Sequence, residues 1–193
     1  MNLRIGDATP PGLSHMASEM KRVVILGGSS SGKSTFARQL GATLEIPVFH
    51  LDTYFWQPGW VEPDPSEFER TVLNIIQRDT WIIEGNYRVT RDERLEASDT
   101  IIFLRESRWR CAFRFIWRCW FERSRPDLPE GCREPIFNKE MVAHLRIILT
   151  YQNDREPRLL QTARKYDGMK HIQELNGRRQ VDTFLENVTA VSE

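Results

Sequence analysis

The chain has 193 residues, 40% of them hydrophobic, enough for one domain with a substantial core. Basic and acidic residues balance at 27 each, so the bulk charge gives no argument for a nucleic-acid or membrane partner. No apolar run approaches the ~18 residues of a membrane span, and the beginning of the chain lacks the long apolar segment of a secretory signal.

Residues 1–20 read as a polar leader containing Pro and Gly, expected to be poorly ordered, with the domain proper spanning 21–193. Val23–Leu26 is the first predicted strand. It enters the run Gly27-Gly28-Ser29-Ser30-Ser31-Gly32-Lys33-Ser34-Thr35, and a helical pattern follows Ser34. Val48–Leu51 is the second strand. Ser66–Arg78 predicts a helix with Phe68, Val72, Ile75 and Ile76 on one face and Ser66 as its N-cap. Trp81–Ile83 and Ile101–Leu104 are the third and fourth strands. Strands alternating with helices imply a parallel sheet covered on both faces, and such strands need no polar alternation.

After Leu104 the texture changes. Arg105–Arg125 is dense in arginine and aromatics, and the Pro/Gly-rich stretch "PDLPEGCREP" follows. Helical patterns lie near Asn138–Asn153 and Pro157–Tyr166. A weaker strand at His171–Leu175, a turn at Asn176-Gly177 and a last helix at Val181–Val191 complete the chain. The expected architecture is α/β, with about five parallel strands flanked by helices. Cys111, Cys119 and Cys132 are odd in number and widely spaced, which fits the reduced thiols of a cytoplasmic protein. They make no paired motif for structural zinc.

The segment from Gly27 to Ser34 matches G-x-x-x-x-G-K-[ST] without a mismatch, after a strand and before a helix. Glycines let the backbone turn tightly and aim successive N–H groups at phosphate oxygens. The helix start adds its positive dipole end. Lys33 can reach the β- and γ-phosphates, and the Ser34 hydroxyl can take a position on Mg²⁺. The loop, Gly27 to Thr35, therefore implies a nucleoside triphosphate with magnesium, read here as ATP, although the loop itself does not separate ATP from GTP. Such a site needs an acidic group near the metal, and two strand ends offer one: Glu84 after "WII" and Asp52 after "VFHL".

Arg110, Arg114 and Arg118 recur every four residues and share a helix face, with Phe113, Trp117 and Trp120 on another. Basic residues interleaved with aromatics can follow a nucleic-acid backbone and stack on bases. The alternative is a lid whose guanidinium forks neutralise a transferring phosphoryl group. Net neutrality without a second basic stripe favours the lid. His50, His144 and His171 form no metal spacing, and the sequence assigns them no role.

With its P-loop near the start, "EGNYR" after the third strand and an Arg-rich helix after the fourth, the chain resembles the adenylate kinase-like kinases. "HLDTYFWQPGW", "WIIEGNY", "ASDTIIFL", "RCAFRFIWR" and "RSRPDLPEGCRE" resemble the FlaR-related topology modulation proteins within that group. The resemblance implies that Glu84 orders magnesium-bound water and that Arg88 contacts transferring or acceptor phosphate. It implies a lid over about residues 105–137, with Arg114 and Arg118 as its arginines and Arg123 and Arg125 as weaker matches. It places the phosphoryl acceptor, a nucleoside, nucleotide or other hydroxyl compound, at Asp52–Trp60. Adenylate kinases carry an arginine three residues after the corresponding aspartate, where this chain has Phe55. The departure argues against an AMP-like acceptor and for a hydroxyl that Asp52 orients and deprotonates. The group's name also keeps a DNA-associated ATPase open, and a nucleotide-binding module without turnover is the other rival.

Overall fold

The computed structural model describes residues 19–121, 132 and 138–192. Five strands form one sheet: β1 (Arg22–Gly27), β2 (Val48–His50), β3 (Trp81–Glu84), β4 (Thr100–Arg105) and β5 (His171–Asn176). Their spatial order is β2-β3-β1-β4-β5, and every pairing is parallel. The three inner strands are buried on both sides, which is why their sequences are continuous apolar runs.

Among the described residues the helices are α1 (Lys33–Leu44), α2 (Leu51–Phe55), α3 (Pro65–Ile76), α4 (Arg91–Ala97), α5 (Arg108–Phe121), α6 (Lys139–Asp154), α7 (Glu156–Arg164) and α8 (Gly177–Ser192). On one face of the sheet, Phe68 and Val72 of α3, Leu95 of α4 and Leu159 of α7 pack on Val24, Ile83 and Phe103. On the other, Phe36 and Leu40 of α1 and Phe184 and Val188 of α8 pack on Ile25, Ile82 and Ile102. A third apolar cluster joins α5 to α6 through Phe115, Cys119 and Ile148. Burying such side chains contributes about 1.5–3 kcal/mol each. No described helix is long and apolar enough to cross a membrane.

Several expectations change. The N-cap of α3 is Asp64, whose Oδ1 accepts from the Ser66 N–H at 2.8 Å; Pro65 occupies the first turn, and Ser66 lies inside the helix. No separate turn exists at Asn176-Gly177, because β5 runs through Asn176 and α8 begins at Gly177. Asp52 does not end a strand: β2 stops at His50 and Asp52 belongs to the short helix α2. That helix and α4 carry no long apolar period, so pattern reading passed over both. Met20, placed in the leader, is buried in the α1–α8 cluster. Residues 1–18 of the leader lie outside the described residues. So do Arg123, Arg125 and most of the expected lid beyond Phe121.

Parallel register fixes what reaches the carboxyl edge of the sheet. Glu84 lies opposite Ile25 on one side and His50 on the other, and Gly27 lies opposite Leu104. Ligands of open α/β sheets bind at this edge.

Candidate active site

The chain leaves β1 at Gly27, whose φ is +147°. A Cβ there would lie 2.4 Å from the Leu104 carbonyl oxygen of β4, so only glycine lets the loop start this close to the sheet. Gly32, at φ +101°, turns the loop into α1. Between them Ser31 N–H donates to Gly28 O at 3.3 Å, and the Lys33 ammonium donates to the same carbonyl at 2.9 Å. The Ser31 hydroxyl is buried and has no hydrogen-bond partner among the described residues. Asn86 ties the loop to the end of β3: its side-chain oxygen accepts from Gly27 N–H at 3.3 Å, and its amide donates to Gly27 O at 2.6 Å. His144 of α6 stacks on Phe115 and places Nε2 2.9 Å from Ser29 Oγ.

The two acidic residues separate cleanly. Glu84 is 4% exposed and accepts from Ser34 Oγ at 2.8 Å, with His50 Nδ1 at 3.0 Å from the same oxygen. Burial pushes its pKa up, but the His50 contact, the Lys33 charge and the Ser34 hydroxyl outweigh this and hold it below the usual carboxylate range. Asp52 is paired elsewhere: its Oδ1 accepts from Tyr87 OH at 2.7 Å. Burial, then the Asp52 carboxylate, raise the Tyr87 pKa, so the phenol stays protonated and keeps donating.

Helix α5 turns Arg114 and Arg118 toward the loop. Arg118 Nη2 donates to Ser30 Oγ at 2.9 Å. Arg114 Nη1 makes long contacts to Ser30 O and Ser31 O at 3.5 and 3.4 Å, while its Nη2 donates to the buried Glu106 carboxylate at 3.1 Å. Arg110 pairs with Glu106 at 3.6 Å and is exposed. Phe113, Trp117 and Trp120 are exposed on the helix surface, and Phe113 and Trp117 also line the cleft.

The aromatic segment after β2 divides between core and cleft. Phe55 packs against Phe68 and Tyr87, with ring centroids 5.1 and 4.5 Å away, and fills the local core. Trp56 and Trp60 meet edge to face at 5.3 Å and line the cleft. Trp60 sits at φ +64°, an uncommon backbone for a bulky residue, held by its N–H to Gln57 O at 3.1 Å. Arg88 and Arg91 line the same end of the cleft. Behind them Arg94 is fully buried and donates to three backbone carbonyls: Gly85 O at 2.9 Å, Tyr87 O at 2.7 Å and Thr90 O at 3.1 Å. One guanidinium thus pins the segment that carries Asn86, Tyr87 and Arg88. Burial lowers the Arg94 pKa to about 10, which leaves it charged at neutral pH.

A single open cleft of about 1980 Å³ contains both ends, from Ser29–Thr35 to Asp52, Trp60 and Arg91. No family model matches the chain, and no curated protein matches it. Solved structures do. Shikimate kinase from Acinetobacter baumannii, in complex with shikimate, is 14% identical over 92% of this chain and 96% of its own, with a TM-score of 0.56. Shikimate kinase from Bacteroides thetaiotaomicron is 14% identical over 89% and 98%, with a TM-score of 0.53. A gluconokinase from Sinorhizobium meliloti 1021 is 16% identical over 89% and 91%, with a TM-score of 0.50. The chain has the α/β fold of the P-loop kinases. At these identities the likeness speaks to fold alone.

The residues given phosphate-binding, magnesium or catalytic roles in the sequence line this cleft or the loop beside it, in two groups, whereas Arg110 and Trp120 do not line it. Lys33, Ser34, Glu84, Arg114 and Arg118 gather at the loop, whereas Asp52 pairs with Tyr87 and Arg88 lines the same cleft without a contact to the loop among the described residues. Sequence reasoning missed Asn86, Arg94, Glu106, His50 and His144. Asn86 had one usable signal, its position two residues after the acid that ends β3. The others are single polar residues whose meaning depends on tertiary contact.

Proposed function

We propose that this protein is a Mg·ATP-dependent phosphotransferase that moves the γ-phosphoryl group to a hydroxyl of a small acceptor. The observation that carries this reading is the continuity of the cleft. It holds a P-loop with the Ser34–Glu84 pair at one end and the Asp52–Tyr87 pair at the other, joined by Gly85-Asn86-Tyr87. Gly27 to Thr35 would cradle the phosphates. Ser34 and Glu84 would hold magnesium: both donors are oxygen, and the buried carboxylate is kept ionised, which suits a hard cation. When bound, the ion neutralises charge on the β- and γ-oxygens.

Lys33 follows the transferring group with its ammonium. Arg114 and Arg118, aimed at Ser30, supply forks for charge that develops in the transition state, and Arg88 approaches from the acceptor side. Asp52, oriented by the Tyr87 hydroxyl, positions the acceptor hydroxyl and accepts its proton. The names of the structural neighbours, gluconokinase and shikimate kinase, support a small-molecule acceptor. We assign the chain to the FlaR-related group on its motifs, with residues 105–137 as the lid and the cytoplasm as its compartment. The inward aim of Arg114 and Arg118 favours the lid over a nucleic-acid surface. The test is an acceptor screen with γ-labelled ATP covering nucleosides, nucleoside monophosphates and small alcohols. Label should pass to a hydroxyl compound. ATP hydrolysis that DNA stimulates, with no labelled acceptor, would favour the DNA-associated ATPase.

A further inference from the structure

The acceptor end of the cleft carries two arginines, Arg88 and Arg91, that the described residues pair only weakly. Arg88 is exposed on the cleft wall, and its guanidinium makes no hydrogen bond or ion pair among the described residues. Arg91 lines the same wall with a side chain only 20% exposed. Among the described residues its Nε is buried without a hydrogen bond, and its ion-pair partner, Asp92, is 3.7 Å away with a side chain 77% exposed. Arg94, fully buried just behind, adds a like charge, and the Arg91 charge contributes after burial to lowering the Arg94 pKa. Two carboxylates of the cleft are engaged by other groups: Glu84 holds Ser34 and His50, and Asp52 holds Tyr87.

A guanidinium taken mostly out of water, without a hydrogen bond at a buried N–H, is costly unless something accepts from it. Its planar fork matches a carboxylate or a phosphate. Trp56 and Trp60 supply an apolar wall nearby, suited to a carbon skeleton between two polar ends. We infer that Arg91, with Arg88 beside it, binds an anionic group of the acceptor, so that the acceptor is a hydroxylated carboxylate or phosphomonoester and not a neutral alcohol. The inference rests on the phosphotransferase reading and narrows it. The hydroxyl sits at Asp52, and the anion lies toward α4, outside the transfer line.

The test uses the full chain with Mg·ATP and matched acceptor sets: neutral sugars and polyols, the corresponding sugar acids, and the corresponding monophosphates. ADP release should favour one of the anionic sets over its neutral counterparts by at least about tenfold in kcat/KM, and which set wins separates carboxylate from phosphate. Arg91→Gln should raise the KM for the anionic acceptor by about 10- to 100-fold, the loss expected for a charge-assisted hydrogen bond. KM for ATP should stay within about twofold, and Arg91→Lys should restore part of the loss. Preference for neutral acceptors, or an Arg91→Gln enzyme with unchanged acceptor KM, would overturn the inference while leaving the kinase reading intact. Tryptophan fluorescence separates the opposite failure, because Trp56 and Trp60 stand in the wall. Anion binding lost in Arg91→Gln, with no turnover of any acceptor, would keep Arg91 as the anion site and refute the phosphotransferase reading.

Discussion

Around Ser29–Ser34 the cleft wall is a single continuous loop turned by Gly27 and Gly32, whereas around Asp52 it is drawn from α2, the segment after β3 and α4. The loop end depends on positive-φ glycines and a helix start, which leave little room for variation without breaking the turn. The far end depends on the side chains of Asp52, Trp56, Trp60, Arg88 and Arg91, which come from separate elements. The shared segment is Gly85-Asn86-Tyr87: the Asn86 side chain bonds Gly27, the Tyr87 hydroxyl donates to Asp52, and Arg94 donates to the backbone from behind. The difference teaches that one scaffold can keep its phosphate chemistry while the acceptor changes.

Substitutions at the two ends should therefore fail differently. Asp52→Asn keeps an oxygen for Tyr87 OH but removes the charge and basicity. Transfer should slow by about 10²–10⁴-fold, visible in kcat, with nucleotide affinity close to wild type. Efficient, unaffected phosphorylation of a nucleoside monophosphate would place the acceptor chemistry elsewhere. Lys33→Ala should lower transfer by about 10²–10³-fold and weaken triphosphate binding as well, since it leaves β/γ charge uncompensated. Steady-state kinetics with a nucleotide titration separates the two patterns, and near wild-type turnover would refute the P-loop role.

The loop end was legible before any coordinates because backbone geometry of this kind is written in consecutive residues. Gly27 and Gly32 stand five apart, with Lys33 and Ser34 directly after, and nothing distant is needed to read them. The strands were legible for a similar local reason, being continuous apolar runs. Asp52 was singled out but misplaced at a strand end, because a five-residue helix has no period to detect. Phe55 and Trp60 looked equivalent in sequence, and only packing against Phe68 and Tyr87 sends Phe55 to the core. Arg94 was invisible, since a buried arginine that serves backbone carbonyls reads like any helical surface arginine.

Smaller effects sharpen the contrast. Arg114→Ala and Arg118→Ala should each lower kcat by about 10- to 100-fold while changing ATP affinity less. Loss of DNA binding with full ATPase activity in both would instead favour the nucleic-acid surface. Arg94→Met should destabilise the fold by about 2–4 kcal/mol, the cost of leaving the Gly85 and Tyr87 carbonyls without the guanidinium donor less the relief of no longer burying a charge; Thr90 O keeps the residue-94 backbone N–H. Denaturant unfolding reads this, and an unchanged midpoint would show that the clamp contributes nothing. The smallest effect is expected at Cys111, which is buried and whose thiol burial raises to a pKa of about 11. Below that pH the thiolate is scarce, so the native protein should resist alkylation at Cys111 at pH 8, and rapid labelling there would contradict the packing of α5.

The central claim is that the two ends act on one phosphoryl group. Phosphorus NMR of the full chain, incubated with Mg·ATP and a preferred acceptor from the screen, tests it most directly. The account predicts one new phosphate-ester resonance growing in equal amount with ADP, and loss of that resonance in Asp52→Asn. ADP accompanied by inorganic phosphate alone, with no ester at any acceptor concentration, would contradict it.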